Sequence, residues 1–125
     1  MAEEIIDPTK DDRKRILLLG AMTSAYYDAD TEEERSGVVR RFRELAEEWR
    51  ELGARVVGTF DDDLFMVGEP SSTRFTFYLL FEADDFSIAA DMLQRFREPV
   101  NGIRMDRYVR FEVHLGRPFF PLEGT

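Results

Sequence analysis

Residues 74–83 read "RFTFYLLFEA", with Phe75, Phe77, Leu79 and Phe81 on one side of an extended chain and Arg74, Thr76, Tyr78 and Leu80 on the other. Four bulky apolar residues at a period of two predict a strand with one face in a core and a second face of mixed character. Such a sheet needs helices over its apolar side, and the flanking sequence supplies them.

Downstream, Asp84 or Asp85 can cap a helix over "FSIAADMLQRFRE", which must stop at or before Glu98 because Pro99 disfavours helical backbone in the residue ahead of it. "VNGI" makes a connection. The last strand, "RMDRYVRFEVHL", alternates again, with Val109, Phe111, Val113 and Leu115 opposed to Tyr108, Arg110, Glu112 and His114. Upstream, "VVGTFDDDLFMVG", Val56–Gly68, sets Asp61, Asp62 and Asp63 between two short apolar runs, the pattern of a short hairpin with a polar loop. Ahead of it, Val38, Phe42, Leu45, Trp49 and Leu52 recur at steps of four and three on one helical stripe. Thr31 and Glu34 have the T-x-x-E spacing of a helix start, and Gly53 stands where a left-handed cap ends it. "RILLLGAM", Arg15–Met22, is a continuous apolar run suited to a central strand covered on both faces, and "TSAYYDAD" reads as a loop. Residues 1–14 are charged around Pro8 and read as a flexible arm, so the domain runs over 15–125 and closes with the apolar tail "GRPFFPLEGT".

The order β α β(β) β α β predicts an α+β, ferredoxin-like βαββαβ antiparallel sheet with two helices on one face and an extra short hairpin strand. Two helices cover only one face. The other, Phe-rich and mixed, predicts a homodimer that buries it.

Composition bounds the chemistry. A chain of 125 residues with 43% hydrophobic residues and 11 Phe has one core. Its formal net charge of -9 repels a phosphate backbone and an anionic membrane surface, so neither nucleic acid nor membrane is an expected partner. Without Cys there is no disulfide, thiolate nucleophile or Cys-ligated metal, and a single His removes most other metal sites. No apolar stretch reaches the roughly 18–20 residues of a membrane span, and the N-terminus lacks the apolar core of a signal peptide, so a cytoplasmic location is expected. No P-loop or dinucleotide fingerprint is present. No metal or cofactor is expected.

Three consecutive aspartates on an extended chain point to alternating sides and do not converge on one ion, and their spacing is not that of a calcium loop. They read first as a turn, with the alternative that one reaches inward to position a substrate group. The stronger candidate is the row Tyr108, Arg110, Glu112 and His114. Arg110 can grip a carboxylate with its planar fork, and His114 or Glu112 can move a proton, while Arg74, Thr76 and Tyr78 can join from another strand. The bland alternative is an antiparallel edge that shows polar residues to water. Tyr26 and Tyr27, beside Asp28 at a strand exit, can wall a pocket for a small aromatic ligand or simply pack. Phe119 and Phe120 can cross to a partner subunit or dock on their own sheet.

"LLGAMTSAYYD", "VVGTFDDDLFMVG" and "RYVRFEVHLGRP" resemble the small ferredoxin-like proteins of bacterial indole-3-acetate degradation operons, and more broadly the dimeric α/β-barrel group. The resemblance runs from about Arg15 to Pro121, and is most specific over Gly58–Gly68. It departs at "SSTRFTF", where those proteins carry a tryptophan-rich segment. It implies a small enzyme of aromatic-compound metabolism, such as a cofactor-free oxygenase or isomerase, acting on an aromatic or carboxylated metabolite. The other implied reading is a non-catalytic dimeric accessory protein that binds a ligand. The broader group also includes haem-binding members, for which His114 is the one histidyl ligand this chain offers.

Overall fold

In a computed structural model that describes residues 13–62 and 75–122, strands and helices follow one another in the expected order. Strand β1 (Lys14–Met22) leads through a single helical turn, α1 (Ser24–Tyr27), into α2 (Glu32–Glu51). Strands β2 (Arg55–Asp61) and β3 (Phe77–Ala83) follow, then α3 (Ser87–Arg97), a second single turn α4 (Met105–Tyr108), and β4 (Val109–Gly116).

Local chemistry sets the element ends. Thr31 Oγ1 accepts from the Glu34 amide at 3.0 Å to cap α2. The reciprocal half of that capping box is not made, because the Glu34 carboxylate instead accepts from the Tyr108 hydroxyl at 2.7 Å. Gly53, at φ 106°, turns the chain out of α2 through backbone that a side chain would strain. Neither candidate aspartate stands at the cap of α3, which is Phe86; Asp85, one residue earlier, accepts from the Ser87 amide through Oδ1 at 2.8 Å, while Asp84 pairs with Arg55. Helix α3 ends at Arg97, and Glu98 is already extended before Pro99. Asn101 and Gly102, both at positive φ, then reverse the chain between Val100 and Ile103, which exchange two backbone hydrogen bonds of 2.9 Å.

The sheet has the order β2-β3-β1-β4, every pair antiparallel, which is the ferredoxin-like arrangement. Residues opposite one another on neighbouring strands share a face, so the register sorts the sheet into two sides. On one side Ile16 opposes Phe81, Leu18 lies between Leu79 and Val113, and Gly20 between Phe77 and Phe111. Both long helices pack there, through Val38, Leu45 and Trp49 of α2 and Ala89, Met92 and Phe96 of α3. Trp49 is fully buried, donates its indole N–H to the Met92 carbonyl at 2.9 Å and stands edge-on to Phe81 at 5.7 Å. Gly20 lies under the rings of Phe77 and Phe111, where a Cβ has no room.

The apolar stripe of α2 also carries a charge that its periodicity does not announce. Arg41 is 3% exposed. Its Nη1 donates to the Glu48 carboxylate, which accepts from Arg95 of α3 as well and so ties the two helices together. The Arg41 hydrogen bond, against the opposing effect of burial, holds the Glu48 carboxyl below its ordinary value. Nε and Nη2 of Arg41 find no acceptor among the described residues.

Several boundaries differ from expectation. Lys14, assigned above to the arm, is the first residue of β1, paired opposite Ala83; the rest of the arm up to residue 12 lies outside the described residues. "TSAYYDAD" is not all loop, since Ser24–Tyr27 make one helical turn. The last strand begins at Val109, not Arg104, because Met105–Tyr108 coil into α4 with Met105 and Tyr108 buried. The second run of the hairpin, "LFMVG", lies outside the described residues; β2 pairs with β3.

Candidate functional site: the uncovered face of the sheet

On the side away from the helices, one transverse row reads Phe60, Tyr78, Leu19, Glu112 and the next Gly58, Leu80, Leu17, His114. The described helices leave this side uncovered. Leu17, Leu19 and Leu80, all half-buried, form an apolar floor along β1 and β3. Polar groups rise at either side of it, two strand spacings or about 10 Å apart.

On the β4 bank, Glu112 and His114 are two residues apart, and the pleat puts them side by side. His114 Nε2 lies 2.8 Å from Glu112 Oε2. With Nε2 donating to Glu112, Nδ1 is left as an acceptor, the arrangement that orients an imidazole as a base. The pair is well solvated in the single chain, at 56% and 49% side-chain exposure. Arg110 follows one row further on, opposite Ala21, with its guanidinium 5.1 Å from the centre of the Phe75 ring.

On the opposite bank, the Tyr78 hydroxyl donates to Asp62 Oδ2 at 2.8 Å. That hydrogen bond to a carboxylate, with some desolvation, raises the Tyr78 pKa, so the phenol keeps its proton. The Phe60 ring leans on Tyr78 at 5.6 Å. Asp61 stands opposite Phe77, on the helix side, whereas Asp62 reaches the uncovered face. The aspartate stretch is thus a strand end that sends its carboxylates to opposite sides, with one of them facing the candidate site. Asp63 and Arg74 lie outside the described residues.

Tyr108 does not join the row. It belongs to α4, is buried on the helix side and donates its hydroxyl to Glu34, because the helical turn rotates its side chain before β4 begins. That carboxylate raises the Tyr108 pKa. Tyr26 and Tyr27 also lie elsewhere, on α1 with their rings edge to face at 5.5 Å. Tyr26 packs toward the core and walls a cleft against α2, while Tyr27 is 67% exposed. Asp62 was visible in the sequence only as one of three candidates; its identity needed the register of β2 on β3.

No family model matches the sequence, and no curated protein matches it. Among solved structures, the chain is similar to a mutant chlorite dismutase from Candidatus Nitrospira defluvii in complex with cyanide, at 16% identity and a TM-score of 0.63. That match covers 86% of this chain, which spans 40% of the length of the other. The chain is also similar to the methylated RPA0582 protein, at 18% identity and a TM-score of 0.58, over 91% of this chain and 86% of that one. At such identities the likeness shows the fold alone, an α+β ferredoxin-like antiparallel sheet.

Proposed function

We propose that this chain is a small-molecule enzyme that uses the uncovered sheet face, closed over by a second copy, to act on an aromatic metabolite carrying a carboxylate. The observation that carries the reading is the placement of two hydrogen-bonded pairs, His114 with Glu112 and Tyr78 with Asp62, on either side of a leucine floor. A flat ring fits that floor. Arg110 supplies a fork for the carboxylate. His114 Nδ1 and the Tyr78 oxygen, whose proton is engaged by Asp62, both present lone pairs and so suit a substrate with an N–H or O–H on its ring. Removal of that proton by His114 leaves an electron-rich anion, the species from which either reprotonation at another atom, an isomerase step, or direct reaction with dioxygen proceeds. The resemblance to proteins of indole-3-acetate degradation supports a ring of this type. The exposure of Phe60, at 61%, beside the half-buried Leu17, Leu19 and Leu80 supports the second copy, whose docking would bury them and strip water from the site.

The alternative, a non-catalytic dimeric ligand-binding or accessory protein, is favoured by the half exposure of both His114 and Glu112. Turnover of indole and phenol carboxylic acids, followed with and without oxygen, separates the two. The enzyme reading expects product formation that falls at least about 100-fold in His114→Asn, the scale of a lost general base. Equal rates in that variant sink the assignment, and a mass of 14.6 kDa by light scattering at micromolar concentration sinks the dimer.

A further inference from the structure

Helix α2 carries an unusual pair of cations. Arg40 and Arg43 engage no carboxylate among the described residues, although each has a glutamate four residues ahead, the spacing at which helical ion pairs form. Those glutamates are turned elsewhere: Glu44 lies 3.8 Å from Arg41, and Glu47 lies 3.4 Å from Arg50. Arg35, on the same helix, is neutralised by Glu32 at 2.7 Å and donates to the Ala29 carbonyl at 2.9 Å. In a chain of net charge -9, two neighbouring guanidinium groups without an acidic partner among the described residues mark a local reversal of sign.

They border an apolar cleft. Met22 at the end of β1, Tyr26 of α1, and Val38, Val39 and Phe42 of α2 line a space of ≈ 330 Å³ whose rim is Arg43. Tyr26, Val39 and Arg43 are shared with a neighbouring polar groove that continues past Arg40 to Arg35 and Glu32, so the two form one trough. Val39 stays 39% exposed in it. The Tyr26 hydroxyl, at the seam, makes no hydrogen bond among the described residues, while its ring packs toward the core and stands edge-on to Tyr27. The size is at the lower end of the roughly 300–1,000 Å³ usual for small-ligand pockets, and an apolar recess with a few converging polar groups at its mouth is their usual chemistry.

We infer that the α1–α2 trough is a binding site for an amphipathic carboxylate, its apolar body in the recess of Met22, Val38, Val39 and Phe42 and its anionic head on Arg40, Arg43 and the Tyr26 hydroxyl. This site is on the helix side of the sheet, remote from His114 and Glu112, and does not depend on the function proposed for the other face. It would accept a molecule with one anionic end. Inorganic phosphate alone lacks the apolar half of the recognition, and an uncharged alcohol lacks the other.

Amide shifts of the isotope-labelled full chain, titrated with octanoate below its micellar concentration, test the inference. Shifts are expected at Tyr26 and from Ser36 to Arg43. Octan-1-ol or phosphate should bind at least about tenfold more weakly, as should octanoate to the Arg40→Gln/Arg43→Gln variant, by the scale of charged hydrogen bonds. Both arginines are exposed, so the variant keeps its fold; Val39→Asp, which sets a carboxylate in the trough, provides a second loss of binding. Shifts confined to β4 and Tyr78, equal binding of the alcohol, or octanoate affinity unchanged in both variants would each overturn the site without bearing on turnover at the other face.

Discussion

Adding one methyl group at Gly20 should unsettle the covered side of the sheet. A Cβ there would lie 2.3 Å from Cε2 and Cζ of Phe77 and 2.9 Å from Cε1 of Phe111. Carbon atoms rest at about 3.5–4.0 Å, so the Phe77 ring must retreat by more than about 1 Å. An isolated ring would swing aside at little cost. Phe77, however, is hemmed by Phe42 at 6.1 Å and Phe111 at 5.9 Å, and Phe111 in turn by Phe96 at 4.9 Å and Trp49 at 6.0 Å. Overpacking of this kind costs about 1–3 kcal/mol, and a boxed ring argues for the upper half of that range. Against it, alanine restricts the unfolded chain and returns about 0.4–1 kcal/mol. The net expectation for Gly20→Ala is a loss of about 1–2.5 kcal/mol, or about 3–6 °C in Tm per kcal/mol for a chain of this length. Urea denaturation followed by far-UV circular dichroism measures it. A cycle with Phe77→Leu then locates the cause, because the double variant should be less destabilised than the sum of the singles by about 1 kcal/mol or more. A Gly20→Ala protein as stable as its parent, or strict additivity in the cycle, would refute the steric account.

Trp49→Ala should cost about 3–5 kcal/mol, and Trp49→Phe, which keeps the ring but loses the bond to Met92, about 1–2 kcal/mol; similar losses in the two would show that packing contributes little. Glu48→Gln should destabilise the chain by about 1–3 kcal/mol near pH 7, less than for a fully buried pair because Glu48 is a quarter exposed. Since the folded Glu48 pKa is depressed, its contribution is present above the ordinary value of 4.5 and is lost as pH falls through the folded one. The gap between Glu48→Gln and its parent should therefore close on acidification, and a constant gap would argue against the pairing. For Tyr78 the sign is opposite. Its raised folded pKa favours the native state below pH 10 and ceases to do so as the phenol ionises, so Asp62→Asn should bring its ultraviolet titration down toward the ordinary value; an unmoved titration would dissolve the pair.

The periodic elements could be read from residue order because burial on one side imposes a period. Phe77, Leu79 and Phe81 declare β3, and Val38, Leu45 and Trp49 declare α2, by spacing alone. Arg41 defied that logic: a charge on a buried stripe looks like a solvated residue until its partner Glu48, seven residues on, is seen to share it with Arg95. Tyr108 misled for a related reason. Alternation extrapolates backward through Met105–Tyr108 as easily as through β4, and only the buried contacts of α4 distinguish one helical turn from two more residues of strand. At the candidate site, Glu112 and His114 follow from their spacing. The facing bank does not, because which aspartate meets Tyr78 depends on a bulge that shifts register between Val56 and Gly58.

That bulge, and the charges beyond it, bear on how the molecule survives at high concentration. Among the described residues, strand β2 is an outer edge of the sheet and every residue of it is solvent-exposed, with Val56, Val57 and Phe60 on display. An unguarded strand of such composition invites indefinite edge-to-edge stacking, the first step toward fibrils. The shifted register interrupts the flat row of hydrogen-bonding groups that stacking copies would need, and Asp61 and Asp62 at its end would oppose their own images in a neighbouring molecule. A face that pairs with one partner and then stops, as proposed above, needs an edge that pairs with none, and the aspartates at the end of β2 would help to keep such self-association finite.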